Sequence, residues 1–404
     1  MEYPKLRPIE AFPAEVNGKE MICLRDPYNY SEKVLFVPSR VFEVICLLDG
    51  HHSALDIQEH YMRKFGELLY REKIDEIVGM LDSSLFLESD KFHDFRRQLE
   101  EEFLKEPIRK AFHAGKAYES NPEALKRQIE GFFAHPEGPG VPGPIEKGSI
   151  KGIVVPHIDF IRGGPTFAWA YKEVAESIEA DLFIILGTAH GEARGFYTLT
   201  RKGFETLLGI LETDRDFVEA LEREGGKGLF QGEIAHRAEH SIEFQAVFLR
   251  YLYPERERLR IVPILCGSFS EIMAQGKAPE EEPLVSGFIQ ALRGTIEISR
   301  DRVLIISGAD LSHVGPRFGD REPITPGILR WIAKADLEML GYGERLDAEG
   351  FYRSVARNKD RRICGLSSIY TLLKVIDSKE GRLLKYSQWS NASAAVTFAA
   401  MAFY

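Results

Sequence analysis

Four short stretches carry the residue types and spacings that metal or acid–base chemistry needs. They are Val155-Pro156-His157-Ile158-Asp159, Gly187-Thr188-Ala189-His190-Gly191, His236-Arg237-Ala238-Glu239-His240-Ser241-Ile242-Glu243 and Ser307-Gly308-Ala309-Asp310-Leu311-Ser312-His313. Neutral imidazole is the commonest nitrogen ligand for divalent metals. Sets of histidine and carboxylate with open positions suit iron. A histidine beside such a centre can instead act as a general base, because its ordinary pKa is about 6.5. One histidine at a strand end is more often a hydrogen-bonded core residue, but three such ends and a histidine-rich helix start argue together for one site. Asp310 and Asp159 are placed to anchor imidazoles as hydrogen-bond acceptors, which fixes tautomer and orientation. Asp310, three residues from His313, is the stronger of the two, and both also suit turns. Glu239 and Glu243 read as helix caps that complement the helix dipole.

His236 and His240 are spaced i,i+4, so on a helix they share a face. With Glu239 they also match the H-x-x-E-H pattern of zinc peptidases. That pattern is short, and no third acidic ligand can be picked out downstream, so the peptidase reading ranks below the others.

A site of this kind needs strand ends to hold it, and in open α/β sheets sites form at the carboxyl ends of the strands. Gly152-Ile153-Val154-Val155, Leu182–Leu186, Arg260–Leu265 and Val303–Ile306 are short apolar runs of the buried-strand type, separated by helical stretches. One helix is expected from Pro165 to Ile178. Leu383–Tyr386 and Ala394–Phe398 add two strands near the end of the chain, and Tyr386, Ser387 and Asn391 stand near their ends as further pocket-lining candidates. Arg162 with Gly163-Gly164 reads as a loop. The alternation predicts an α/β sandwich with a mostly parallel central sheet.

Upstream, Met21–Leu24 and Lys33–Val37 read as two strands around the turn Asp26-Pro27-Tyr28-Asn29. Pro38 opens a helix, Ser53-Ala54-Leu55-Asp56 resembles a capping box, and a third helix spans Arg71 to Asp82. Leu85–Glu88 is expected as a closing strand. This is a small α+β, winged-helix-like arrangement. Asn121-Pro122-Glu123 starts another helix, and the Pro/Gly run His135–Pro144 is a linker or wrapping loop. The expected organisation is therefore 1–95 winged-helix-like domain, 96–119 helical connector and 120–404 α/β domain.

With 404 residues, two domains are the natural prior. A net charge of −10 argues against nucleic acid or an anionic membrane as partner. The first residues lack the apolar segment of a signal peptide, and no uncharged apolar run approaches the ~18 residues of a spanning helix. The four cysteines form no C-x-x-C pair, which fits a reducing cytoplasm.

The four stretches, in order, together with Arg362-Ile363-Cys364-Gly365 and the segment Asn391 to Phe403, resemble the Memo family, in particular AmmeMemoRadiSam system protein B of microbes. The resemblance covers residues 120 to 404. It implies a fold similar to class III extradiol dioxygenases, which use non-haem iron. On that likeness His157 and His190 are metal ligands, His240 is a further ligand or the catalytic acid/base, and His313 and Asp310 support catalysis. The implied cofactor is Fe(II) or another divalent metal. A cysteine completes the metal set in the animal Memo protein. Motif matching puts Ser312 at that position, a poor ligand for iron or copper, with His313 or Asp310 as substitutes. Cys364 is expected near the pocket as a small apolar residue. The family also admits a reading as a non-catalytic binding or scaffold module. Its system name implies a radical-SAM protein and an AMMECR-type protein as partners. Residues 1–95, with Leu47-Leu48-Asp49-Gly50-His51-His52-Ser53, resemble PqqD-like domains, which implies a peptide as ligand there.

Overall fold

The computed structural model describes residues 1–145, 148, 150–191, 193–226 and 228–404. The chain divides into two compact units, Met1–Lys105 and Glu106–Tyr404.

The first unit pairs β1 (Glu10–Val16), β2 (Lys19–Arg25) and β3 (Val34–Val37) in one antiparallel sheet. Sequence reading missed β1. Its signal was Asn17-Gly18, both at positive φ (52° and 72°), the pair that a tight hairpin demands. Pro13 masks the strand, and the sheet tolerates it because β1 is an edge. Four helices follow: α1 (Ser39–Ile45), α2 (Ala54–Phe65), α3 (Arg71–Ser83) and α4 (Asp90–Lys105). The capping box at Ser53 and Asp56 forms as expected. Leu24, Val44, Ile57, Ile74, Ile77 and Leu81 share one core. The expected strand Leu85–Glu88 is reduced to a single bridge between Leu87 and Leu6, because Leu85 turns the chain at φ 61°.

In the second unit a short β4 (Ile108–Arg109) precedes α5 (Pro122–Ala134), whose start is capped by Asn121. The Pro/Gly run after α5 lies along the next helix: the Trp169 indole N–H donates to the Glu137 carbonyl and Lys172 to that of Pro139. The sheet then builds from β5 (Gly152–Val155), β6 (Leu182–Thr188), β7 (Tyr197–Leu199), β8 (Gly203–Thr206), β9 (Gly209–Thr213), β10 (Arg260–Cys266), β11 (Val303–Gly308), β12 (Asp310–Val314), β13 (Gly381–Ser390) and β14 (Ala395–Phe403). Its order is β12-β14-β5-β11-β6-β10-β9-β8-β4, with β13 on β14 and β7 on β10. The central strands β5, β11, β6, β10 and β9 run parallel, and antiparallel strands close the β12–β14 side. The expected α/β sandwich with its mostly parallel sheet is the fold observed. Pro263, in register with Ile185 of β6, lies in the gap between the β10 residues paired with β9 (Arg260 and Ile261) and those paired with β7 (Ile264 to Cys266).

Helices cover both faces of the sheet. Along β6, Phe183 and Ile185 pack with α6 (Phe160–Ala175) and, further on, α8 (His240–Leu252). Ile184 and Leu186 pack on the opposite side, in the core shared by α7 (Arg215–Gly225), α10 (Pro283–Ile298), α12 (Ala348–Arg357) and α13 (Leu366–Val375). The intervening helices are α9 (Ser270–Ala274) and α11 (Pro326–Glu344). Strand burial on both faces is what the continuous apolar runs encode. α6 begins five residues before the expected Pro165, because the Asp159 carboxylate accepts the Arg162 N–H and caps it there. Arg162 and Gly163-Gly164 are thus helical, not loop. Among the described residues no helix is long and apolar enough to cross a membrane.

Two glycines let α8 come down on the strand ends. A Cβ at Gly187 would meet Ile242 at 2.5 Å and the Ser241 hydroxyl at 2.6 Å, and one at Gly308 would meet the Ser241 carbonyl oxygen at 2.4 Å. The Ser241 hydroxyl also donates to the Thr188 carbonyl at 2.8 Å. Gly308→Ala should therefore lift α8 from the sheet and cost about 1–3 kcal/mol, as overpacking does. Chemical denaturation measures this, and a variant as stable as the parent would contradict the close-approach argument.

Candidate metal centre

Each of the three histidines comes from a different element. His157 lies just past the end of β5, His190 just past β6, and His240 is the first residue of α8. One ring nitrogen from each lies within 4.8 Å of the others. Among the described residues this is the one group of three or more His, Cys, Asp or Glu side chains close enough to share a metal ion. The rings of His190 and His240 stack at 4.7 Å, and His157 meets them edge-on at 4.8 and 5.2 Å. His157 is buried, His240 half-buried and His190 exposed.

Hydrogen bonds set the ring tautomers. The Nδ1–H of His157 donates to the Gly308 carbonyl at 2.9 Å, since a carbonyl can only accept. His190 Nδ1 donates to the Glu239 carboxylate at 3.1 Å, and His240 Nδ1 lies 3.2 Å from the same oxygen. A proton on Nδ1 leaves Nε2 as the lone-pair nitrogen, the form a metal needs. Glu239 also caps α8. Its carboxylate accepts the backbone N–H groups of His240 and Ser241, and that of His190 across the site. Burial works against its charge, yet the facing imidazoles and these N–H groups hold the carboxyl well below the usual range. Sequence reading took Glu239 for a cap and missed its second task. The signal was its position directly before His240.

Asp310 starts β12 and is buried. Its Oδ1 accepts the N–H groups of His157 and Ile158, and Oδ2 lies 3.7 Å from His157 Nε2. Burial pushes its carboxyl up to about 6. His313 does not join the three-ring cluster. Its Nδ1 donates to the Leu311 carbonyl, and its ring packs edge-on to Phe318. Burial lowers its pKa to about 4, with Asp310 pulling the other way.

Two expectations need correction. Ser312 does not face the cluster: its hydroxyl donates to Asp336 at 2.7 Å in a buried network with Arg361, Thr397 and Tyr386. A register irregularity between Asp310 and His313 breaks the strand's alternation and separates Ser312 from both. Tyr386 belongs to that network too, and Ser387 bonds Thr166. The thiol at the cluster is Cys364, whose Sγ lies 3.3 Å from His157 Nε2. Arg362, at φ 50°, turns the chain into this position. His236 is the second correction. It belongs to a 3-10 turn, Glu233–Arg237, outside α8, and its Nε2 donates to the Thr198 carbonyl. It shares no helix face with His240, so the H-x-x-E-H spacing has no common site. Glu243 likewise turns away, into a buried ion pair with Arg109.

Burial holds His157 and His236 near pKa 3. Unfolded, both would titrate near 6.5, so as pH falls the unfolded chain binds protons that the folded chain refuses. Stability is then lost with acidification by about 1.4 kcal/mol per pH unit for each histidine, while Asp310, raised in the fold, returns one share below about pH 6. The metal-free protein should therefore have a lower urea midpoint at about pH 5 than at about pH 7, and His236→Gln should reduce the difference. Equal midpoints would contradict this.

The second unit is similar to known proteins along most of its length. The model of the family described as "Memo-like protein" matches residues 109–402. A MEMO1 family protein of Aquifex aeolicus is 29% identical over 407 residues, covering 99% of this chain and all of its own. MEMO1 family proteins of Methanopyrus kandleri and Sulfurisphaera tokodaii are each 31% identical, over 69% of this chain and 92% of theirs.

Proposed function

The chain belongs to the Memo-like family, and from that premise we propose that His157, His190 and His240 hold one divalent metal in a dioxygenase-like site of the non-haem iron type. The observation that carries this reading is the shared set of acceptors. Gly308 and Glu239 engage the Nδ1 atoms of three converging rings, as the outer partners of metal-bound histidines do. The donor set fits a divalent ion: three imidazoles, with the Cys364 thiol next to His157. When bound, such a metal supplies Lewis acidity, and iron adds one-electron chemistry toward dioxygen.

The chain's own residues do the rest. Glu239 keeps the rings of His190 and His240 turned inward. Asp310 commits Oδ1 to two backbone N–H groups, so Oδ2 is the atom on which a proton is held or released beside His157. His313, three residues further along β12, is the second acid/base group. The exposed edge of His190 marks the side from which a substrate enters. Partnership with a radical-SAM protein and an AMMECR-type protein, and a peptide on the first unit, are proposed on the family resemblance and on the winged-helix-like order of β2, β3 and α1 to α3.

Metal content decides the central point. Protein purified anaerobically without a histidine tag should contain near-stoichiometric iron by plasma mass spectrometry, and His157→Ala/His190→Ala should lose it. Cys364→Ser should bind the metal more weakly. Parent and variant samples equally free of metal would overturn the proposal in favour of a non-catalytic binding module.

A further inference from the structure

The turn that carries Glu239 is held from outside by a strap of chain, Arg109 to Tyr118. Arg109 is buried, and its guanidinium donates to the carbonyls of His236 (3.0 Å), Glu239 (2.8 Å) and Lys110 (2.9 Å) and to the Glu243 carboxylate. Glu243 is saturated in turn by the strap. It accepts the backbone N–H groups of Phe112 (3.1 Å) and His113 (2.9 Å) and the Tyr118 hydroxyl (2.6 Å). His113 Nε2–H donates to the Ala238 carbonyl at 2.9 Å, and its ring lies edge-on to His240 and Phe244 at 5.6 and 5.7 Å. The carbonyls of residues 236, 238 and 239 are thus each fixed by a side chain of the strap.

A buried ion pair gains little over apolar packing of the same volume. What it supplies is a fork geometry that no apolar contact reproduces. Here that fork grips the backbone immediately before His240 and the helix face one turn after it. We infer that Arg109, His113 and Glu243 are positioning residues. They lock the 236–239 turn so that the Glu239 carboxylate holds His190 and His240 in one orientation and one tautomer. Glu243, the second acid of the Glu239-His240-Ser241-Ile242-Glu243 stretch, serves the site through the backbone and not by touching a ligand. The purpose of this arrangement rests on the metal-centre reading above, but its operation on the rings does not.

The test reads the rings directly. Nitrogen NMR of the imidazoles in the metal-free parent should show His190 and His240 with the proton on Nδ1. Glu243→Gln, and Tyr118→Phe as the variant that keeps the Arg109–Glu243 pair, should each convert these signals to a mixture of tautomers. Leu292→Ala, a core truncation in α10, which supplies no side chain to the cluster, should leave them unchanged despite its loss of stability. Titration with Co(II) should show about a tenfold weaker affinity in Glu243→Gln, the lower end of the effect known for outer partners of metal ligands. Parent-like imidazole signals in both strap variants would overturn the proposal. So would an equal disturbance in Leu292→Ala. A parent that takes up no Co(II) would instead sink the metal-centre reading, with the imidazole signals still deciding the role of the strap.

Discussion

A carboxylate without solvent must find a donor for every lone pair it exposes, and Glu239 is the place where this chain meets that demand. It is 4% exposed, and its two oxygens take the N–H groups of His240 and Ser241 at the start of α8, the N–H of His190 past β6, and the His190 ring. The helix N-terminus supplies partial positive charge where the anion sits. A single acid therefore caps a helix, ties that helix to a strand end, and orients two imidazoles. Any displacement of α8 would leave a buried charge short of donors, so the position of His240 is enforced by electrostatics as well as by packing.

The sheet makes that position reachable. Parallel strands β5, β11 and β6 end side by side, so the residues after them emerge on one rim. His157 uses this directly, resting its Nδ1–H on the carbonyl of Gly308 in the neighbouring strand. The absence of side chains at Gly187 and Gly308 brings Ser241 into contact with both strand ends. Antiparallel β14 then carries β12, which supplies Asp310 from the far side. The chain before α13 delivers Cys364. Five elements meet at one point, and none of them supplies two of the three clustered histidines.

This division of labour explains what the sequence made legible. Strands buried on both faces are continuous apolar runs, so β5, β6, β10 and β11 stood out, and the histidines just beyond β5 and β6 came with them. His240 was legible beside its helix. The small strands β7, β8 and β9 lack such runs, and β1 hid behind Pro13. The errors at the site have local causes. Motif matching along the chain points to Ser312, whereas the thiol beside His157 comes from Cys364, 52 residues further on, which a linear motif cannot place. His236 was paired with His240 because an i,i+4 spacing presumes one continuous helix, whereas a 3-10 turn ends at Arg237 before α8 begins. Arg109 and Tyr118 left no signal, because a buried arginine or tyrosine is identified only by what surrounds it.

Burial around the cluster is graded, and the gradient gives the site a direction. Asp310 and His157 are deep, Cys364 and His240 are half-buried, and His190 faces solvent. At the deep end a carboxyl raised to about 6 stands beside an imidazole lowered to about 3, so near neutral pH the carboxyl is the group of the two poised to change charge. At the open end the neighbouring carboxylate of Glu239 stays ionised and engaged with N–H donors. On the proposed function, proton transfer belongs to the Asp310 side, while the Glu239 carboxylate bonds the His190 ring and lies beside that of His240. Two acids with opposite displacements of pKa flank the same three rings: Glu239 is held low by its imidazole and N–H partners, and Asp310 is raised by burial.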